Sequence, residues 1–273
     1  MKEQYDDFAT LEHRGWQRVA GKYESAWSGL TRLFIPDLLQ AVGVTAGTRV
    51  LDVACGPGYV AEAAHSRGAI PTGVDFSAEM VRIATERNPD IEFREGDAQE
   101  LGFDANTFDV VVMNFGVLHL PKPEKAFAEA SRVLRSGGRY GFTVWAGPEE
   151  SPGAKIVDNA VKAHADISVG VPQGPDFLVY GNADKCRSAL GAGFDAQSLV
   201  LQTIMKEWCV PTTSFLFEAE RDAGVRTAAL LAQQTPEALK AIQSQIEDSV
   251  RAYQQDRGFV IPYVAHLVVA RAA

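Results

Sequence analysis

"VLDVACGPGY", residues 50–59, decides the fold. An apolar run meets Asp52, and after Cys55 come two glycines pinned by Pro57. With the next residues the stretch gives Gly56-x-Gly58-x-x-Ala61, which fits the strand-to-helix turn that binds dinucleotides, with alanine in the third glycine's place. Asp52, however, stands four residues before Gly56, at the end of the strand. A pyrophosphate gains nothing from an anion there. The turn asks for a ligand that welcomes both bare glycine backbone and a carboxylate.

Outward from this turn the chain alternates. Strand "RVLDVA" precedes a helix from near Gly58 to Gly68, and strand "IPTGVD" precedes a helix with Ser77 as its N-cap. Strands "IEFREGD" and "FDVVVMN" follow, then a helix over residues 123–135 ending at Gly137-Gly138, and strand "RYGFTVWA". Short apolar strands separated by helices signal a parallel sheet covered on both faces. On the N-terminal side, Leu33, Phe34, Leu38, Leu39 and Val42 mark one helix face, with Gly43 as a stop.

Beyond residue 146 the alternation weakens. Helices are expected over 153–165, near 182–190 and over 236–257, the last capped by Thr235 with Pro236 in its first turn and ended by Gly258. Two strands, "FDAQSLVLQTIMKEWCV" and "FVIPYVAHLVVA", flank that last helical region. The expected fold is α/β: a Rossmann-like, doubly wound, mostly parallel seven-stranded sheet with helices on both faces and a helical cap. One domain of 273 residues is expected. Residues 1–45 form helices over the ligand, 46–146 the binding core, and 147–273 the cap with the last two strands. The helices between those strands either cap the sheet edge or merely pack a long crossover.

Composition narrows the class. At 46% hydrophobic and 22% charged, the chain reads as an ordinary soluble globular protein. Its 35 acids against 26 bases give a formal charge of −9, which opposes binding to nucleic-acid phosphates or anionic lipid. MKEQYDDFAT lacks the order of a signal peptide, and no apolar stretch reaches membrane-spanning length. Cys55, Cys186 and Cys209 are scattered without a CxxC pair, which fits a reduced, cytoplasmic protein, and the five histidines show no metal-ligand spacing.

In a doubly wound sheet, ligands sit beyond the carboxyl ends of the strands. Asp52, Asp75 and Asp97 fall there on successive strands, 23 and 22 residues apart. Neighbouring strands lie roughly 4.8 Å apart, so a nucleoside bridges such a rim. A ligand with an ammonium, a ribose diol and an adenine amine offers donors to all three acids, and without phosphate it has a use for Asp52. S-adenosylmethionine is such a ligand.

These residues carry a family resemblance. "VLDVACGPG", "GVDFSAEM" and "EGDAQELGF" resemble the first, ribose and adenine motifs of class I S-adenosylmethionine-dependent methyltransferases, in the group of the ubiquinone and menaquinone C-methyltransferases. "FDVVVMNFGVLHLPKPEKAFAEASRVLRSGGR" resembles the family's fourth strand, next helix and fifth strand. The resemblance is dense over residues 48–146 and thin beyond. It implies that Gly56 and Gly58 let the backbone approach the methionine moiety and that Asp52 orients its ammonium, directly or through water. Asp75 would hold both ribose hydroxyls, with Phe76 and Met80 beside the adenine. Asp97 would accept from the adenine amine, the Ala98 amide would donate to the ring, and the Asn114 carbonyl would face the ammonium. Trp16 and Tyr23 on a leading helix would touch the methionine end, with Arg14 or Arg18 near its carboxylate, the alternative being core packing for the aromatics and solvent for the arginines. Ala54 departs from the family's usual glycine, so the turn must tolerate a methyl there.

Methyl transfer needs alignment and exclusion of water, and a base only for an alcohol, phenol or weakly acidic carbon. His119, in "NFGVLHL" just after the fourth strand, is the candidate base, the alternative being a histidine that only steadies its loop. "NFGV" lacks the Asn/Asp-Pro-Pro-aromatic motif of enzymes that methylate nucleic-acid bases, which points to a small molecule. Trp208, Phe215, Phe217, Leu230, Leu231 and Tyr263 in the cap suggest an apolar or aromatic acceptor methylated on O or C, in an enzyme that could form a homodimer. The alternatives are an NAD(P)-dependent Rossmann oxidoreductase, which leaves Asp52 and Asp97 without a task, and a non-catalytic S-adenosylmethionine-binding protein, which lacks a working acceptor pocket.

Overall fold

In the computed structural model, which describes residues 5–256 and 258–273, the alternation becomes one sheet. Helix α1 (Asp6–Tyr23) leads through a π-helical turn, Glu24–Ser28, to the short helices α2 (Gly29–Thr31) and α3 (Ile35–Ala41). The chain continues as β1 (Arg49–Val53), α4 (Tyr59–His65), β2 (Ile70–Asp75), α5 (Ala78–Arg87), β3 (Glu92–Glu95), β4 (Phe108–Asn114), α6 (Pro123–Val133) and β5 (Leu134–Trp145). Helices α7 (Pro152–His164) and α8 (Ala183–Leu190) precede β6 (Phe194–Val210). Then come α9 (Phe215–Ala223), α10 (Val225–Leu231), α11 (Pro236–Arg251), the two-residue β7 (Gln254–Gln255) and β8 (Gly258–Ala272).

Strand order is β3-β2-β1-β4-β5-β8-β6, with β7 paired to β8 off this path. The first five strands of that order are mutually parallel, and β8 runs antiparallel to both β5 and β6. The seven strands expected are therefore joined by an eighth, a hairpin stub. The order of strand connection reverses at β1, which lies between β2 and β4, and this switch point is where a ligand crevice opens.

Alternate residues of one strand serve opposite cores, as the pleat requires. Leu51, Val111 and Met113 join Phe127, Tyr140 and Phe142 in one cluster, while Val50, Val110 and Val112 join Leu38, Leu39 and Tyr59 in another. A third cluster unites Ile156 of α7, Leu216 and Phe217 of α9, and Ile242, Ile246 and Val250 of α11 with Trp208, Ile261 and Tyr263 of the two long strands. Trp208, Phe217 and Leu231, read from sequence as candidates for an acceptor wall, are buried within this packing.

Local signals set most boundaries. Ser77 Oγ accepts from the Met80 amide at 3.3 Å to start α5, and Thr235 Oγ1 accepts from Ala238 at 3.2 Å to start α11. Two boundaries differ from expectation. Helix α11 stops at Arg251, because Gln254 and Gln255 turn back to pair with Phe259 and Gly258; position 257 lies outside the described residues. Strand β5 begins at Leu134, opposite Phe108, so the Gly137-Gly138 pair lies inside a bulged strand instead of ending a helix.

Gly73, in the middle of β2, faces Phe93 and Cys55: an added Cβ would sit 2.4 Å from the Phe93 ring and 3.0 Å from the Cys55 sulfur. Gly73→Ala is expected to destabilise the fold by about 1–3 kcal/mol through overpacking under the glycine turn. Urea denaturation should show a lower midpoint with an unchanged slope.

Candidate active site

Beyond the carboxyl ends of β1, β2 and β4 lies a cavity of about 1200 Å³. Trp16, Tyr23, Ala54, Gly56, Asp75, Phe76, Met80, Asp97, Ala98, Asn114 and His119 all line it. Asp52 and Gly58 do not, and the register gives the reason. Asp52 pairs with Gly73, two residues short of Asp75 along the neighbouring strand, so it lies roughly 6.6 Å below the rim. Equal spacing in sequence did not mean equal height.

Fully buried, Asp52 accepts from the Ala61 amide at 3.1 Å through Oδ2, while Oδ1 has no hydrogen-bond partner among the described residues. Burial pushes its pKa up to about 8, with the Asp75 charge adding to the effect, so a nearby cation is needed to favour its ionised form. An ammonium reaching Oδ1, directly or through water, would be such a cation. Gly58 instead caps α4 in the left-handed region (φ 81°), where an added Cβ would lie 2.8 Å from the Phe93 ring. Its role is to let the α4 turn pack on β3.

Asp75 is the hub. Oδ2 accepts from the Gly56 amide at 2.8 Å and Oδ1 from the Ser77 amide at 2.9 Å, tying the turn after β1 to the turn after β2. Its side chain still lines the cavity, and burial raises its pKa to about 6 against those two bonds. Asp97, by contrast, is exposed, lies two residues past β3, and accepts from the Gln99 amide at 2.8 Å. Phe76 stands edge-on to His13, and Met80 is buried behind it.

The turns are strained where they meet the cavity. Ala54 adopts φ 55° and Phe115, just after β4, adopts φ 57°. An aromatic residue in that region costs energy that neighbouring contacts must offset. Phe115 is held by Thr143, whose Oγ1 accepts from its amide at 3.0 Å, and by stacking on Trp145 at 3.7 Å. Thr143 also donates to Asn114 Oδ1 at 2.7 Å, and Asn114 Nδ2 donates to the Thr31 carbonyl at 3.3 Å. Tyr23 shares a hydrogen bond with the Thr31 hydroxyl at 2.9 Å, and burial pushes its phenol up to about 12. The methyl that the turn must tolerate at Ala54 is accommodated because residue 116 is glycine: a Cβ there would lie 2.7 Å from it.

His119 ends a short 3-10 turn, Val117–His119, with the ring edge of Trp16 at 4.8 Å between centroids. Its Nδ1 lies 2.8 Å from Glu12 Oε2 of α1, a buried acid that the sequence reading missed. The available signal was Glu12's place on the same face as Phe8, Gly15 and Val19, where a charge stands among apolar and small residues. Glu220, Arg226, Thr227 and Leu230 of the α9–α10 segment also line the cavity, as do Val157 and Val161 of α7 and Tyr263 of β8. Burial lifts the Glu220 carboxyl to about 7, moderated by a hydrogen bond from Thr227. Leu230 and Tyr263 are the members of the expected aromatic and apolar wall that do reach the cavity. Arg14 and Arg18, offered for a carboxylate, are not among its lining residues.

The site fits S-adenosylmethionine. Gly56 holds φ 51° with open space where a side chain would stand, and Oδ1 of Asp52 is a buried acceptor in want of a cationic donor. The volume exceeds the roughly 300–1,000 Å³ of a typical ligand pocket, leaving room for a second molecule beside the first.

Comparison with known proteins agrees. Residues 51–142 match the model of the methyltransferase domain family. The chain is 31% identical over 185 residues to the demethylmenaquinone methyltransferase of Paenarthrobacter aurescens, covering 66% of this chain and 72% of that protein. It is 39% identical over 124 residues to the enzyme of the same name from Renibacterium salmoninarum, covering 45% of this chain and about half (52%) of that protein's length. Among solved structures, the YcgJ protein of Bacillus subtilis superposes with a TM-score of 0.54 at 22% identity, covering 87% of this chain and 97% of that one, which shows the fold. The chain belongs to the class I S-adenosylmethionine-dependent methyltransferases, in the group that holds the quinone methyltransferases. S-adenosylmethionine is accordingly its cofactor, and the comparisons lend no support to the oxidoreductase and non-catalytic alternatives.

Asp75 gives the site a pH signature. Its folded pKa, about 6, lies above the ordinary 3.8, so this group's contribution to stability is greatest below 3.8 and falls as pH rises through about 6. Ribose hydroxyls donate to the ionised form and so favour it. Through Asp75, affinity for S-adenosylhomocysteine should therefore rise by up to about tenfold per pH unit below 6, with proton release on binding, and any rise that continues above 6 belongs to Asp52. Calorimetry in buffers of different ionisation enthalpy reads both, and Asp75→Asn should flatten the profile below 6.

Proposed function

We propose that this protein transfers a methyl group from S-adenosylmethionine to an oxygen or acidic carbon of a small apolar or aromatic molecule. One observation carries the reading: a single cavity joins the strand-end residues Gly56, Asp75 and Asp97 to His119 and to the apolar wall of Val157, Val161, Leu230 and Tyr263. The relatives' name, demethylmenaquinone methyltransferase, supports a ring acceptor of the quinol kind. When bound, the donor supplies an electrophilic methyl on a sulfonium, whose carbon–sulfur electron pair stays on sulfur as the acceptor takes the methyl.

The chain's own work is alignment, exclusion of water and proton removal. Asp75 orients the ribose with both its oxygens, Asp97 and the Ala98 amide read the adenine, and Phe76 and Met80 supply the apolar surface beside it. Asp52 draws the ammonium toward the floor of the crevice, and Asn114 offers its carbonyl to the same group. Trp16 and Tyr23 close the methionine end. His119 takes the acceptor's proton as the new bond forms and passes it to water. In this reading residues 1–45 act as a cover, 46–146 as the donor site and 147–273 as the acceptor wall, all within one domain. Scattered cysteines, with none in a disulfide among the described residues, support a cytoplasmic setting. The exposed Val200 and Met205 on the edge strand β6 support a homodimer.

His119→Ala should lower kcat by about 10²- to 10⁴-fold toward a quinol or phenol acceptor, with the affinity for S-adenosylhomocysteine little changed. Turnover over an acceptor panel of quinols, phenols and apolar alcohols, alongside calorimetry, checks it. Full kcat in the variant would remove the base from the mechanism.

A further inference from the structure

Glu12 is a carboxylate that the folded chain keeps at 1% side-chain exposure and surrounds with donors. Trp16 Nε1 donates to its Oε2 at 3.1 Å, and His119 Nδ1 meets the same oxygen at 2.8 Å. Arg226 Nε lies 3.2 Å from Oε1, an ion pair without the alignment of a hydrogen bond. Two of these three partners are cavity residues on other elements: His119 follows β4 and Arg226 belongs to α10. A charged side chain is rarely buried to this degree unless it is paired, and this pairing joins three separate elements at the reaction chamber.

The donor set fixes the direction of the hydrogen bond. A carboxylate facing an arginine and an indole N–H acts as acceptor, so Nδ1 of His119 carries a hydrogen and donates it. In a neutral imidazole the lone pair then resides on Nε2. The edge of Trp16 packs against the same ring and limits its rotation.

We propose that Glu12 is the positioning residue of His119: helix α1 delivers a buried carboxylate that sets the tautomer of the imidazole and stabilises the charge it gains. This rests on the base role given to His119 above. In the step, the acceptor's O–H or C–H proton passes to Nε2 while Nδ1–H stays donated to Glu12. The bond electrons left on the acceptor attack the methyl, and the imidazolium later releases its proton to water. The same helix reaches the donor side, where Gln17 Oε1 accepts from Ser77 Oγ and from the Glu79 amide, each at 3.1 Å, and His13 meets Phe76. One helix thus seats against the nucleoside wall and completes the base.

The test begins with the unaltered protein and needs no acceptor. Nitrogen-15 NMR of the full chain, with the His119 signals assigned by their loss in His119→Gln, should show neutral His119 as the Nδ1–H tautomer. A predominant Nε2–H tautomer overturns the proposal whatever the enzyme's activity. Glu12→Gln should reverse the tautomer, because Arg226 takes the amide oxygen and turns the amide nitrogen toward His119. With a working acceptor, Glu12→Gln should lower kcat at least about tenfold, within the base's own contribution of roughly 10²–10⁴, and change the acceptor KM less. Adding Glu12→Gln to His119→Ala should then cost less than about twofold more, since the carboxylate acts through the ring. Additive losses in the double variant, or a wild-type rate in Glu12→Gln where His119→Ala is slow, overturn the positioning role alone. Full rate in His119→Ala overturns the base itself.

Discussion

The two hydrogen bonds that Asp75 accepts, from Gly56 and from Ser77, are the constraint on which the ligand crevice depends. A parallel sheet delivers its strand ends to one edge but leaves the loops that follow them unjoined. Asp75 joins two of these loops across the switch point. It does so with a carboxylate that burial drives toward neutrality, which its backbone donors only partly offset. A charge-assisted bond is worth about 1.5–3 kcal/mol, so losing both would loosen the turn at Gly56 as well as ligand affinity. The expectation that Asp75 serves the ligand alone is too narrow: the residue also builds the site it occupies.

The sheet was legible because its signal is local and repeated. Strand–turn–helix units of about twenty residues recur from Arg49 to Trp145, and Ser77 and Thr235 announce their helices through side-chain caps. What escaped depended on register or on distance in sequence. Asp52 and Asp75 stand at matched places in their motifs, yet pairing sets Asp52 beside Gly73 and sinks it below the rim. Gly58 matches a ligand-binding pattern, but its neighbour is Phe93, thirty-five residues on, a relation that no local window contains. Helix α11 carries a helical stripe through Tyr253, and only pairing with β8 pulls the chain out of it after Arg251.

The acceptor side shows the same limit more sharply. Aromatic residues chosen for a wall divide by the face of the strand or helix they occupy: Tyr263 turns to the cavity, while Trp208 stacks with Trp27 inside the packing of the two long strands. Composition identifies apolar material and does not say which of it is exposed to a ligand. The polar groups were hidden differently. Glu12, His119 and Arg226 come together from α1, the β4 turn and α10, so their grouping exists only in the folded chain.

Those polar ties also bear on how helix α1 is held. Most of the sheet's apolar residues belong to two large cores that no substrate need disturb. Helix α1 is attached otherwise. Val19 joins a small cluster with Ala26, Ala219, Ala223 and Val225, and Gly15 lies so close to Val225 that an added Cβ would be 2.3 Å away. The remaining ties are mixed: buried Phe8 packs close to Gly174, the rings of Trp16 and His13 meet those of His119 and Phe76, Glu12 pairs with His119 and Arg226, and Gln17 holds the Ser77 turn. A typical hydrogen bond contributes about 0.5–1.5 kcal/mol, whereas leaving one partner of a buried ion pair unpaired costs about 3–5 kcal/mol. Helix α1 is therefore anchored where it meets His119, and the proposed base shares the carboxylate that holds the cover in place.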